Sequence, residues 1–363
     1  MQYGLSLRTV RKRTLNIADW RLRNQRIAGA GFKRPGEVVA WMGAVQAQDH
    51  LGALWALGLR MKTATEKTIE QAIAKRAVIR TWPLRGTLHF VEPADVRWML
   101  ALLAPRVIAG RPARYRQLGL DQAVFDRSRD PLVRALEGDR QLTRDALYKK
   151  LEAAGISTAG QRGIHILQRH ALDGLLCFAP RQGKQPAFAL LEEWVPAARI
   201  LDRDEALAAL AERYFTSRGP ATLQDFTWWS GLTVADAKKG IELAGPRLQK
   251  EAIYWLGAKA PRTTAAPAPA YLLPPYDEYT VAYRDRSAVL DPAHGRMVSG
   301  NGIFYPTIVL GGQVAGTWKR ELKKGSVVIT LSPFKPLKKK ERQAVARAAE
   351  QYGRFLGKPV FLA

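Results

Sequence analysis

The chain has 363 residues, above the usual single domain of roughly 100–200 residues, so roughly two to four folding units are expected. Its 57 Lys and Arg against 32 Asp and Glu give a formal charge of +25, which predicts attraction to a polyanion, nucleic acid above all; 47% hydrophobic residues exclude a disordered basic tail. The lone Cys177 excludes an internal disulfide, five histidines without a zinc-ligand spacing give no metal site, and without a Gly-rich phosphate loop P-loop ATPases and Rossmann dehydrogenases drop out.

Along the chain, the basic stretch at 8–13 is followed by no long apolar run, so no signal peptide is expected, and no window approaches the ~20 apolar residues of a membrane span. A cytoplasmic protein follows. Pro35-Gly36 opens a helix over 37–46, an apolar stretch occupies 51–59, and another helix covers 68–75. Residues 78–91 alternate as a strand pair whose Arg80 and Arg85 suit contact with DNA phosphates.

The helix-turn-helix pattern is clearest next. Thr143 caps a helix over 144–154, Gly155 ends it, and a second helix spans 160–174. Ile164, Leu167, Ala171 and Leu172 are expected inward, leaving Gln161, Arg162, His165, Gln168 and Arg169 outward. His165 and His170 read as surface and packing residues. Residues 175–179 and 186–190 flank a basic turn and read as a β-wing. A third case has Thr222 capping 223–229, a turn at Gly231, and Thr233 capping 234–244 with Lys238 and Lys239 exposed. The preceding helix over 207–215 supplies its packing partner, and 248–255 would be its wing.

A Pro/Ala linker covers 265–270, and beyond it the pattern turns to β. Strands are expected over 303–310, 313–318 and 327–331, the second carrying Lys319 and Arg320 just past its end. A last helix over 338–356 begins with Lys338-Lys339-Lys340, a placement opposed by the helix dipole and open to phosphate contact or simple solvation. The fold class is therefore α+β. Three tandem winged helix-turn-helix units occupy 1–125, 126–200 and 201–264, with a β-rich region and final helix over 265–363.

Three pieces carry a family resemblance: Val45-Gln46-Ala47-Gln48-Asp49, the stretch from Arg80-Thr81-Trp82 to Thr87-Leu88-His89, and Leu273-Pro274-Pro275-Tyr276-Asp277-Glu278-Tyr279. In that order they make the chain similar, over nearly its whole length, to the AlkZ-like and YcaQ-like bacterial winged-helix DNA glycosylases. The resemblance implies a C-shaped DNA channel and excision of alkylated purines, including unhooking of interstrand crosslinks, with no cofactor. Gln46 and Gln48 match the two polar positions of the family's catalytic triplet. Glutamine at the second of these places the chain nearer the AlkZ-like branch, linked to self-resistance against alkylating natural products.

The chemistry is consistent with this. An amide is no general base, but its carbonyl can orient a water at the anomeric carbon, and a purine alkylated at N7 or N3 leaves neutral without an acid. On the residues alone, Gln46 and Gln48 read equally as solvent-facing or phosphate-contacting. In a helix Gln46 would share a face with Asp49, a possible base; in an extended chain it would share one with Gln48. Periodicity does not decide between them. Trp82, Thr87, His89, Asp277 and Tyr279 are pocket candidates, His89 also reading as a packed strand residue and the 277–286 segment as buried ion pairing. Arg162, Arg169, Lys238, Lys239, Lys319 and Arg320 are candidate DNA contacts, and 283–298 and 311–318 candidate hairpins at the channel. A monomer acting on double-stranded DNA is expected. The competing reading is a non-enzymatic winged-helix transcriptional regulator.

Overall fold

The computed structural model describes residues 16–258 and 269–363, so the basic stretch at 8–13 and most of the Pro/Ala segment lie outside the described residues. The architecture is mixed α+β. Side-chain N-caps set many helix starts: Thr143 accepts from the Ala146 N–H, Thr222 from Asp225 and Thr233 from Asp236.

In the N-terminal part the helix expected to reach residue 46 stops at Met42 (Pro35–Met42), because Gly43 takes φ +70° and turns the chain. Ala44–Gln46 then form a short strand against Thr87–Val91, with Gln46 opposite His89. The apolar stretch becomes helix His50–Leu59, and Glu66–Ala74 follows. The expected strand pair is Ile79–Leu84 and Thr87–Val91, turning at Arg85 and Gly86, both at positive φ.

Helices Arg144–Ala153 and Arg162–Leu172 lead into strands Leu176–Gln182 and Gln185–Leu190. A pairing of Arg80 with Phe178 joins the two strand pairs into one six-stranded sheet. On the second helix Ile166, Leu167, His170 and Ala171 are buried, whereas Ile164 is half-buried. Gln168, expected outward, is buried, because this helix flank meets the Arg85-Gly86 turn and the Gln168 amide donates to the Gly86 carbonyl at 2.9 Å.

Helix Arg203–Arg218 packs on Val234–Ala244, while Leu223–Ser230 ends at Gly231 in the left-handed conformation. Strands Leu248–Glu251 and Tyr254–Gly257 follow as a hairpin. In the C-terminal part, strands Ala270–Leu273, Thr307–Leu310, Gln313–Leu322, Val327–Pro333 and Val360–Leu362 make a five-stranded sheet. The strand expected over 303–310 breaks at Tyr305-Pro306, and its first part, Ile303–Phe304, instead pairs with Ser299–Gly300.

The final helix, Lys339–Leu356, covers this sheet and packs back on His50–Leu59. A Cβ at Gly58 would lie 2.6 Å from the Phe355 ring, and Trp55, Trp318 and Tyr352 meet with ring centroids 5.2–5.4 Å apart. One continuous apolar core thus ties the C-terminal sheet to the N-terminal helices. No helix among the described residues is long and apolar enough to cross a membrane.

Candidate active site

A cavity of about 720 Å³ opens where the six-stranded sheet meets the C-terminal part. Its lining brings together Gln46, Gln48, Arg80, Trp82, Arg85 and Thr87 from the N-terminal elements, His165, Gln168, Phe178 and Phe188 from the middle ones, and Trp228, Tyr276 and Phe304 from further along. One wall is aromatic: Phe178 lies 4.8 Å from Trp82 and 4.5 Å from Phe188 between centroids. Among the described residues this lining contains no carboxylate.

Gln46 is held on several sides. Its N–H donates to Glu278 Oε1 at 2.9 Å, and its Oε1 accepts the Gln48 N–H at 2.9 Å. Because the partner there is an N–H, that atom must be the carbonyl oxygen, which keeps one lone pair, while the amide nitrogen has no partner among the described residues. Gln48 is exposed, and its own carbonyl takes the Leu88 N–H at 3.4 Å. Between them, the Ala47 carbonyl accepts from Arg80 at 2.8 Å.

Arg80, expected at phosphates, is instead buried, with its guanidinium over the Phe178 ring at 4.8 Å. Burial, with Arg181 nearby, brings its pKa down to about 10, still cationic at neutral pH. Asp49 is neither helical with Gln46 nor aimed beside it. It caps helix His50–Leu59 by accepting from the Gly52 N–H and faces Arg320 at 3.4 Å.

Behind the strand sits a carboxylate that sequence reasoning passed over. Glu278 is fully buried and accepts from Arg218, from Trp229 Nε1 at 3.0 Å and from the Gln46 N–H. Burial alone would raise its pKa, but the Arg218 charge and the hydrogen bonds from Arg218 and the Gln46 N–H outweigh it and hold the carboxyl below its ordinary range. Arg218 also donates to the carbonyls of Met42 and Ala44, so this ion pair clamps both sides of the Gly43 turn. The available signal was a second acid directly after Asp277 in the third motif.

Three pocket candidates need correction. His89 is fully buried and outside the cavity lining, with its Nδ1 on the Thr87 carbonyl. Asp277 makes a buried two-pronged ion pair with Arg60, both contacts at 2.9 Å. Tyr279 reaches the Gly312 carbonyl at 2.7 Å. From that motif it is Tyr276, at φ +58°, that enters the cavity, and the reversal there sends the next residues inward.

The candidate DNA contacts are scattered. Arg162 is engaged by the carbonyls of Ser157, Leu118 and Gly119, Arg169 by Asp173, Lys239 by Asp204, and Arg85 by the Trp228 and Trp229 carbonyls. Lys238 and Lys319 are exposed, and Arg320 donates to Tyr352. Neither expected hairpin borders the cavity: 292–298 is helical, and the Gly311-Gly312 turn packs on Ala18. The hairpin at the cavity is 299–304, whose Asn301-Gly302 turn has positive φ at both positions.

Comparison with known proteins adds independent findings. The family model described as DNA glycosylase AlkZ-like matches residues 39–355. A curated protein of Streptomyces sahachiroi named an interstrand DNA cross-link repair glycosylase is 27% identical over 358 residues, covering 92% of this chain and 95% of its own. The solved structure of Streptomyces sahachiroi DNA glycosylase AlkZ superposes with a TM-score of 0.77 at 24% identity, across 96% of this chain and 98% of that one.

Proposed function

The chain belongs to the AlkZ-like DNA glycosylase family, and from that premise we propose that it hydrolyses the N-glycosidic bond of cationic N7- or N3-alkylated purines in double-stranded DNA. The observation that carries this reading is the Gln46–Gln48 pair at an aromatic-walled cavity, its amides fixed by backbone N–H groups. Each carbonyl keeps a lone pair for a water aimed at the anomeric carbon. Water forms the new C–O bond, the C–N bond breaks with its electron pair leaving on the base, and the water's proton passes to solvent. The base carried a positive charge beforehand, so it departs neutral and no acid is required.

The chemistry is monofunctional, with water and no enzyme amine as nucleophile. The name of the curated relative supports extending the substrates to interstrand crosslinks, and Gln48 fits the AlkZ-like branch. The three helix pairs, each followed by a strand pair, read as tandem winged helices bending around duplex DNA in a C-shaped monomer, acting on nucleoid DNA in the cytoplasm.

The test is incubation of the purified protein with a duplex holding one N7-alkylguanine, then alkali to cut at abasic sites. Release above background is expected. The Gln46→Ala, Gln48→Ala double variant should keep duplex affinity within a few-fold and lose at least about 10²-fold in single-turnover excision, the scale of a lost positioning group. No release across small and bulky adducts would refute the proposal, and sequence-specific footprints without excision would point to a regulator.

A further inference from the structure

A second cavity, of about 450 Å³, shares Arg85 with the glutamine cavity and is lined besides by Arg106, Arg111 and Arg114 over Val107 and Gly231. Four arginines line it, and its lining holds no carboxylate. By contrast, Arg60, Arg213, Arg218 and Arg320 each face an acid. Among the described residues none of the four cleft arginines has an ion-pair partner. Arg85 and Arg114 are occupied by neutral acceptors, namely main-chain carbonyls and the amides of Gln117 and Gln161. The Arg106 and Arg111 side chains make no hydrogen bond among the described residues, so their donors are free.

The cleft is coupled to the first cavity through the Arg85-Gly86 turn. A Cβ at Gly86 would lie 2.6 Å from Arg111 Nη2, so Arg111 lies against a turn that glycine, at φ +69°, keeps open. The same glycine's carbonyl takes the Gln168 amide, and Gln168 lines the glutamine cavity. Arg111 and Arg114 also act electrostatically on His165 in that cavity. Like charges held together repel, and a bound anion reverses the sign of that interaction. Planar guanidinium forks match the oxygens of a phosphate.

We propose that this arginine cleft is a phosphate-binding site for the DNA strand that carries the damaged base, with Arg106 and Arg111 as ligands to a phosphodiester flanking the nucleotide at Gln46 and Gln48. The assignment rests on the DNA glycosylase reading. It makes the cleft the element that sets strand register, since Arg85 lines both cavities and Gly86 of the glutamine cavity lies against Arg111 of the cleft.

The test uses the full chain and a duplex with a stable tetrahydrofuran abasic analogue. Arg106→Gln with Arg111→Gln should lower the slope of log Kd against log salt by about 0.9, the share of the one phosphate left without its arginines. The control Arg127→Gln with Arg129→Gln removes the same charge from an exposed helix face and should change the slope less. A neutral methylphosphonate walked along the damaged strand should weaken wild-type binding about tenfold at one or two positions and have no further effect there in the cleft variant. Equal slopes for the two double variants, or identical methylphosphonate profiles in wild type and cleft variant, overturn the site. So does displacement of the wild type alone by millimolar inorganic phosphate, which would assign the cleft to a free anion. If the wild type excises nothing while slopes and profiles still differ, the glycosylase reading fails and the cleft stands.

Discussion

Gln46 owes its orientation to groups outside the cavity as much as within it. Its amide oxygen is fixed by the Gln48 N–H, its main chain by Glu278, and Glu278 by Arg218. Removing that buried charge leaves Arg218 uncompensated, which typically costs about 3–5 kcal/mol. Glu278→Gln should therefore lower the melting temperature and, well below it, slow saturated excision by about tenfold or more as the strand loosens. Asp49→Asn should behave differently. It keeps a capping oxygen, so stability should fall by under about 1 kcal/mol and excision should stay within about threefold. Single-turnover rates on the two variants separate the roles, and a large loss of excision in a stable Asp49→Asn protein would restore Asp49 as a base.

Among the elements, the strand Ala44–Gln46 matters most for the site, and it exists because Gly43 ends the preceding helix and the strand finds an edge on Thr87–Val91. A helix there would have brought Gln46 and Asp49 to one face; the extended chain separates them. Close helix packing supports the site from behind. A Cβ at Gly240 would lie 2.8 Å from the Leu207 carbonyl, so Arg203–Arg218 and Val234–Ala244 approach each other through that glycine. Gly240→Val should push them apart and destabilise the protein by about 1–3 kcal/mol, measured as a lower urea midpoint. Arg218 lies on the first of these helices, so excision at saturation should fall in parallel; a fall in stability with excision intact would uncouple the helix pair from the site.

Over the whole molecule, charge and burial set the pH response. Burial, with Arg85 nearby, brings His89 down to about 4, and burial, with Arg129, brings His170 down to about 4, where its Nε2 meets Ser128 Oγ at 2.7 Å. Both histidines are neutral in the folded protein at pH 7. As pH falls below their ordinary 6.5, the unfolded chain takes up protons that the folded one refuses until about 4. Stability should therefore drop across that window, by up to about 1.4 kcal/mol per pH unit for each histidine, and neither contributes above it. Urea midpoints at about pH 7 and about pH 4.5 check this, and His170→Gln should flatten the change. Equal midpoints at both values would count against it.

Periodicity, caps and turn residues made most helices and hairpins legible, because those signals act within a few residues: Thr143, Thr222 and Thr233 cap where expected, and Gly231 turns where expected. The three recurring motifs likewise pointed to Gln46 and Gln48 and to the family. The sequence alone could not tell Tyr276 from Asp277 and Tyr279, adjacent residues that face opposite ways after one left-handed turn. Nor could it choose among the arginines. Whether Arg80 is buried over an aromatic ring, Arg162 engaged by carbonyls, or Arg106 and Arg111 left free in a cleft depends on contacts 30 or more residues away, which no local pattern encodes. Charge was set by composition. Which charges remain available to a phosphate was decided only when the tertiary fold chose their partners.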